Sequence, residues 1–320
     1  MDAPMFLDAD AVAARLPFPS LIDGLAEAFQ RPVEAPLRIH GDLGVRSGAA
    51  PEQRELLAMP AWVPGGDVGV KLVTLFEHND ARDVPRIQGL YVLFDAETGT
   101  PAALLDAAAL TTRRTAAASA LAARHLARED TSTLLVCGSG RLARALPEAY
   151  ACIRSLRRVN VWARRPDAAL ETVADLRRVL PDVDVAVAPD LEAAVREAHV
   201  VTTAVPAQTA FILGRWLSPG SHLDLVGSYR PDMHEADTEA LRRATRFVDT
   251  RAGVLAEAGE FIDAIALDQL EAPAIAADLA ELVAGAHPGR TAADEITLFK
   301  SVGTALEDLA AARLAVDAAG

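Results

Sequence analysis

Gly138-Ser139-Gly140-Arg141-Leu142-Ala143 follows the apolar run Leu134–Cys137 and precedes a stretch of helical character. Glycine at 138 permits a tight turn, glycine at 140 lets backbone approach a pyrophosphate, and Ala143 is small enough for close packing of helix on strand. A helix starting there offers unpaired N–H groups and the positive end of its dipole to phosphates. The chemistry to expect is dinucleotide binding, with Gly138, Ser139, Gly140, Arg141 and Leu142 at the cofactor. The next apolar run ends in Val161-Trp162-Ala163-Arg164-Arg165, where an acidic residue would accept from a ribose 2′-OH. Ala163, Arg164 and Arg165 stand there instead, and guanidinium forks suit a 2′-phosphate. The alternative is a pair of solvated arginines capping a loop. NADP(H) is the preferred cofactor on this reading, with NAD(H) the second choice.

A second chemical signal is Lys71, in the middle of the apolar pattern DVGVKLVTLF. Strand alternation puts it on the face of Val73 and Leu75, opposite Val70 and Leu72. Lysines are rarely buried unpaired, and one held in a cleft has altered basicity. The bland reading is a lysine snorkelling outward from an edge strand. Neither Cys137 nor Cys152, nor His40, His78 and His222, has metal-ligand spacing, so no metal is expected.

The elements that must position these residues fall into two textures. Residues 8–30 read as two short helices. Strand patterns follow in LRIHGDL, ELLAMPAW, DVGVKLVTLF and a hairpin GLYVLFDAETGTPAALLDA that turns at Glu97-Thr98-Gly99-Thr100. Strands in a run before any alternation with helices suggest an antiparallel α+β domain. LTTRRTAAASALAARHLA then reads as one long helix. Beyond it, apolar strands at Thr133–Cys137, Val159–Trp162, Val183–Val187, Val200–Ala204, His222–Val226 and Arg246–Val248 alternate with helical stretches. That rhythm predicts a doubly wound parallel sheet, a Rossmann domain, over about 116–299. A last helix is expected from about Thr297 to Ala318, packing back on the first domain, which therefore takes 1–115 with 300–320.

With 31 Lys and Arg against 45 Asp and Glu, the formal charge of −14 disfavours nucleic acid and anionic membrane. The acidic opening MDAPMFLDAD has no apolar run, no stretch reaches membrane-helix length, and cysteine is sparse, so a cytoplasmic location is expected.

Several segments together resemble the ornithine cyclodeaminase/mu-crystallin family: PLRIHG, LLAMPAW, VGVKLVTLFEHN, LFDAETGTPAALLDAAALTTRRTAAASALAA, CGSGRLA, VGSYRPDMHEAD and DEITLFKSVGTALEDLAAA. The resemblance spans nearly the whole chain in order. It implies a homodimer formed through the non-Rossmann domain, and chemistry at a carbon bearing both nitrogen and a carboxylate. It makes Lys71 the central lysine of the site and Arg38 the first substrate arginine. Arg114, in Arg114-Thr115-Ala116-Ala117, is the second, with Arg113 as the alternative one helix position away. Two arginines can clamp one carboxylate with forked hydrogen bonds. A surface salt bridge is the ordinary alternative for either. Thr115 then faces the cofactor, Met59-Pro60 and Asn79 sit near substrate and cofactor, and Ser301-Val302-Gly303 approaches the nicotinamide. For Met59 and Asn79, core packing and a loop cap are the plain alternatives.

The sequence departs from the cyclodeaminases at Gly227-Ser228-Tyr229-Arg230-Pro231-Asp232. Tyr229 stands where those enzymes carry an aspartate, and a phenol supplies no carboxylate charge at neutral pH. Leu142 replaces a glutamine found in many members. The expectation is an NADPH-dependent reductase of cyclic 2-imino acids, Δ1-pyrroline-2-carboxylate or Δ1-piperideine-2-carboxylate. Ornithine cyclodeaminase, alanine dehydrogenase and a non-enzymatic binding protein of the mu-crystallin type are the alternatives.

Overall fold

Alternation of residue type builds the first sheet. In a computed structural model, which describes residues 3–44, 54–76, 79, 82, 84–270 and 273–318, the chain divides into two units, Met1–Arg114 with Thr304–Gly320 and Thr115–Gly303. The first unit holds β1 (Met5–Leu7), α1 (Ala9–Arg15), α2 (Phe18–Ala28), β2 (Ile39–Asp42), β3 (Arg54–Trp62), β4 (Val68–Phe76), β5 (Ile87–Phe94) and β6 (Pro101–Asp106). The division falls inside α3 (Ala107–Leu126). The sheet runs β1-β6-β5-β4-β3-β2, antiparallel throughout except that β1 lies parallel to β6.

Along β4, Gly69, Lys71 and Val73 are buried while Val68 and Leu72 are exposed, the period of two expected of a half-covered sheet. The C-terminal helix of the chain, numbered below, packs on the inner face against β3, β4, β5 and α2. The outer face keeps Phe6, Ile39, Val68, Leu72 and Leu90 exposed.

The second unit holds β7 (Thr133–Cys137), α4 (Arg141–Ala151), β8 (Arg158–Trp162), α5 (Pro166–Val179), β9 (Asp184–Val187), α6 (Leu191–Glu197), β10 (Val200–Thr203) and β11 (His222–Leu225). It continues through α7 (Thr238–Arg243), β12 (Thr245–Val248), α8 (Arg251–Glu257), α9 (Gly259–Ala266), β13 (Ala277–Asp278), α10 (Leu279–Val283) and β14 (Thr297–Lys300). All pairings in its eight-stranded sheet are parallel, in the order β13-β12-β14-β11-β10-β7-β8-β9. The strands β9-β8-β7-β10-β11-β14 give the Rossmann order, with the topological switch between β7 and β10.

One expectation is corrected here. Thr297–Lys300 is a strand between β11 and β12, and the last helix, α11, starts only at Ala305 and runs to Asp317. All four residues of β14 are buried, as a central parallel strand requires. Gly303 then takes φ +82°, and the Thr304 side chain accepts from Leu306 N to cap α11. Among the described residues, no helix is long and apolar enough to cross a membrane.

Candidate active site

Lys71 points inward from β4, and its Nζ lies 2.7 Å from Asp308 Oδ2 on α11. Arg114 on α3 donates from Nε to the other oxygen, Asp308 Oδ1, at 2.9 Å, and from Nη1 to Glu307 Oε2 at 2.5 Å. All four side chains are buried. One carboxylate thus holds two cations, each by a different oxygen. Arg114 Nη2 donates to no described residue, so part of its fork remains for another acceptor.

Burial pulls the Lys71 pKa down to about 8; Asp308 resists that shift, while the charges of Arg114 and Arg38 add to it. Its ammonium therefore loses a proton far more readily than a solvated lysine. The same cations hold Asp308 below the usual carboxylate range against the cost of its burial. Lys71 stands between Met59 on β3 and Tyr91 on β5 in the strand register. Both neighbours are buried, and a side chain at Gly69 would collide with the Tyr91 hydroxyl.

Arg38 precedes β2, is partly buried, and is close enough for its charge to act on Lys71. Arg113 is committed elsewhere: Nε donates to Leu16 O at 3.0 Å and its guanidinium lies 3.6 Å over the Phe18 ring, which fastens the α1–α2 join. Among the two adjacent arginines, Arg114 is the one beside Lys71. Asn79 is buried and donates to Pro85 O at 3.1 Å, a loop cap. His78 lies outside the described residues.

In the second unit a cavity of about 520 Å³ is lined by Gly138, Ser139, Gly140, Ala163, Arg164, Arg165, Ala204, Val205 and Pro206. It sits at the carboxyl ends of β7, β8 and β10, the switch point where such sheets bind ligands. Gly138 has φ +139°, and a Cβ there would press on Ala204 O and Ala143 Cβ. Gly140, the N-cap of α4, has no capping side chain, so the first N–H groups of the helix stay available to an anion. Arg164 and Arg165 are exposed and have no ion-pair partner among the described residues. The residues therefore fit a nicotinamide dinucleotide. Thr115, Arg141, Leu142, Ser301, Val302 and Gly303 are not among the lining residues of this cavity. Thr115 is buried on α3, Arg141 and Leu142 open α4, and Ser301–Gly303 follow β14.

Sequence reasoning did not single out Asp308, Glu307 or Asp249. Glu307 and Asp308 look like ordinary first-turn acids favoured by the helix dipole; their burial in an alanine-rich helix is what sets them apart. Asp249, after β12, takes Ser301 Oγ at 2.9 Å, Val302 N at 2.9 Å and Gly303 N at 2.6 Å, and so fixes that segment. Tyr229 is partly buried against the core of the second unit.

A Rossmann sheet with a glycine-lined cavity, and a first unit carrying a buried cluster of Lys71, Arg114, Asp308 and Glu307, define a dinucleotide-binding protein with a second, charged site. The chain belongs to the ornithine cyclodeaminase/mu-crystallin family, whose model matches residues 3–320. It is 37% identical to the Delta(1)-pyrroline-2-carboxylate reductase of Paracoccus denitrificans, over 96% of this chain and 94% of the relative. It is 33% identical to the ketimine reductase mu-crystallin of Rattus norvegicus, over 98% and 97%. Among solved structures, the Thermococcus litoralis Delta(1)-pyrroline-2-carboxylate reductase in complex with NADH and L-proline superposes with a TM-score of 0.92 at 29% identity, covering 98% of this chain and 97% of the other.

Proposed function

We propose that the protein is a nicotinamide-dependent reductase of cyclic 2-imino acids such as Δ1-pyrroline-2-carboxylate or Δ1-piperideine-2-carboxylate. The observation that carries this reading is the pairing of Lys71 and Arg114 on one buried carboxylate, which holds two cations ready for a substrate carboxylate. The bound cofactor supplies hydride to the imine carbon. Arg114 binds the substrate carboxylate through the donors that Asp308 and Glu307 leave unused, and Arg38 adds a second guanidinium. Lys71, cationic below a pKa of about 8, lies within the range where it can place a proton on a substrate nitrogen at neutral pH. Asp308 keeps its ammonium charged and aimed. Gly138, Ser139 and Gly140 cradle the pyrophosphate, and the two free guanidinium groups of Arg164 and Arg165 favour NADPH over NADH.

The first unit is the substrate-binding and dimerisation domain on this reading. A second copy of the chain covers the outer sheet face, where Ile39, Leu72 and Leu90 form one apolar row through the partner Ala58. The test of function is NADPH consumption with each cyclic ketimine, against L-ornithine and pyruvate with ammonia. Turnover of the ketimines alone supports the reductase; cofactor binding without turnover of any of them supports a binding protein.

A further inference from the structure

Three neighbouring strands of the second unit, β10, β11 and β14, end on one buried charged cluster. Lys300, the last residue of β14, donates to Ser228 O at 2.9 Å and Ser228 Oγ at 2.5 Å. Its ammonium lies 3.4 Å from Glu260 Oε1 on α9 and 3.7 Å from Glu235 Oε2. Glu235, in the loop before α7, takes three backbone donors: Val205 N at 3.2 Å on Oε1, and Gly227 N at 2.8 Å and Ser228 N at 3.1 Å on Oε2. Val205 lines the dinucleotide cavity, and Gly227 and Ser228 open the loop that carries Tyr229. A Cβ on Gly227 would strike Val205 N, Val205 O and Glu235 Oε1, so the two loops meet backbone to backbone.

We propose that Glu235 is a positioning residue that locks the cofactor-cavity loop at Val205 to the Gly227–Tyr229 loop, so that cofactor binding orders both together. The inference rests on the nicotinamide-dependent reading given above. A single carboxylate accepting from both loops fixes their separation, which a neutral amide cannot do, because its NH2 would face an N–H donor. Burial pushes the Glu235 pKa up to about 7; Lys300 opposes that rise most, Glu260 adds to it, and the Val205 N–H opposes it too. The cluster carries two glutamates to one lysine. Glu235→Gln therefore leaves Lys300 and Glu260 as a balanced pair, and the fold is expected to survive.

The test is direct titration of NADPH into the purified chain and its Glu235→Gln variant, with steady-state constants for a cyclic ketimine. The expected result is a cofactor dissociation constant raised about tenfold or more, about the loss of one charge-assisted hydrogen bond. The ketimine KM should stay within about twofold, and the melting temperature close to that of the parent. Hydrogen exchange of the parent supplies a check that needs no variant: NADPH should protect residues 203–206 and 226–229 together. An unchanged dissociation constant in folded Glu235→Gln, or protection confined to 203–206, overturns the inference alone. A parent that binds no nicotinamide dinucleotide overturns it together with the proposed function.

Discussion

The ammonium of Lys71 and the carboxylate of Asp308 meet at 2.7 Å with both side chains removed from solvent. Removing Asp308 would leave the buried Lys71 ammonium without its counter-charge, a cost of roughly 3–5 kcal/mol, whereas without Lys71 the carboxylate still has Arg114. The pairing also decides when Lys71 is charged. Burial depresses its pKa most, Arg114 and Arg38 add to that, and Asp308 is the force holding it up at about 8. Because Asp308 itself sits below its usual 3.8, its ion pairs contribute stability above that pH, lost as the pH falls through the lower folded value.

Asp308→Asn is therefore expected to move the alkaline limb of kcat/KM from near pH 8 to lower pH. The functional form is the cation, and without Asp308 less of it survives at any given pH. Lys71→Met should abolish that limb along with most turnover while leaving NADPH affinity within about twofold, an order-of-magnitude expectation for a residue that acts on the substrate side alone. A limb that stays put in Asp308→Asn would separate Lys71 from the proton chemistry.

Arg164 and Arg165 lie exposed on the cavity wall with no ion-pair partner among the described residues. NADPH should bind more tightly than NADH, and replacing both arginines by alanine should erase a preference of roughly tenfold or more. The check is competitive titration of the two dinucleotides. Equal affinities in the unaltered chain would show that the arginines are merely solvated.

By the family resemblance of its loop, Tyr229 is expected where the cyclodeaminases carry an aspartate, and a phenol of reference pKa about 10 is a poor general base at neutral pH. L-Ornithine should yield little proline and ammonia, whereas a preformed cyclic ketimine with NADPH should yield the saturated amino acid. Product analysis by chromatography decides between them. Rapid proline formation from ornithine would overturn the reductase assignment.

Leu72 and Leu90 are direct cross-strand partners on the uncovered face of the sheet. A symmetric interface doubles any charge placed there, so Leu72→Glu should convert a dimer to monomer in light scattering. An unaltered mass would put the interface elsewhere.

Much of this was legible in residue order. The glycine motif predicted the β7–α4 turn and its place in the cavity; alternation put Lys71 on the face of Val73, but with apolar residues on both faces of β4 only the family resemblance favoured the inward side over snorkelling. Periodicity misread Thr297–Lys300 as helix, since a fully buried parallel strand lacks alternation and a helix did follow. Asp308 escaped notice because a carboxylate at a helix start has a sufficient local reason to be there. Its partner lies 194 positions earlier, at Arg114, and such pairing has no signature in a single sequence.

The first unit is assembled from both ends of the chain, with the whole Rossmann unit inserted between α3 and α11. During synthesis the inserted unit can fold as soon as β14 emerges, but the six-stranded sheet must wait for α11 to cover its inner face. Until then Lys71 and Arg114 have no counter-charge and both faces of an apolar sheet are open. Contacts that span so much chain close slowly, and a waiting sheet of this kind is exposed to aggregation. The nascent protein should therefore depend on chaperones more than its ordinary size suggests, with the demand ending abruptly once Asp308 is in place.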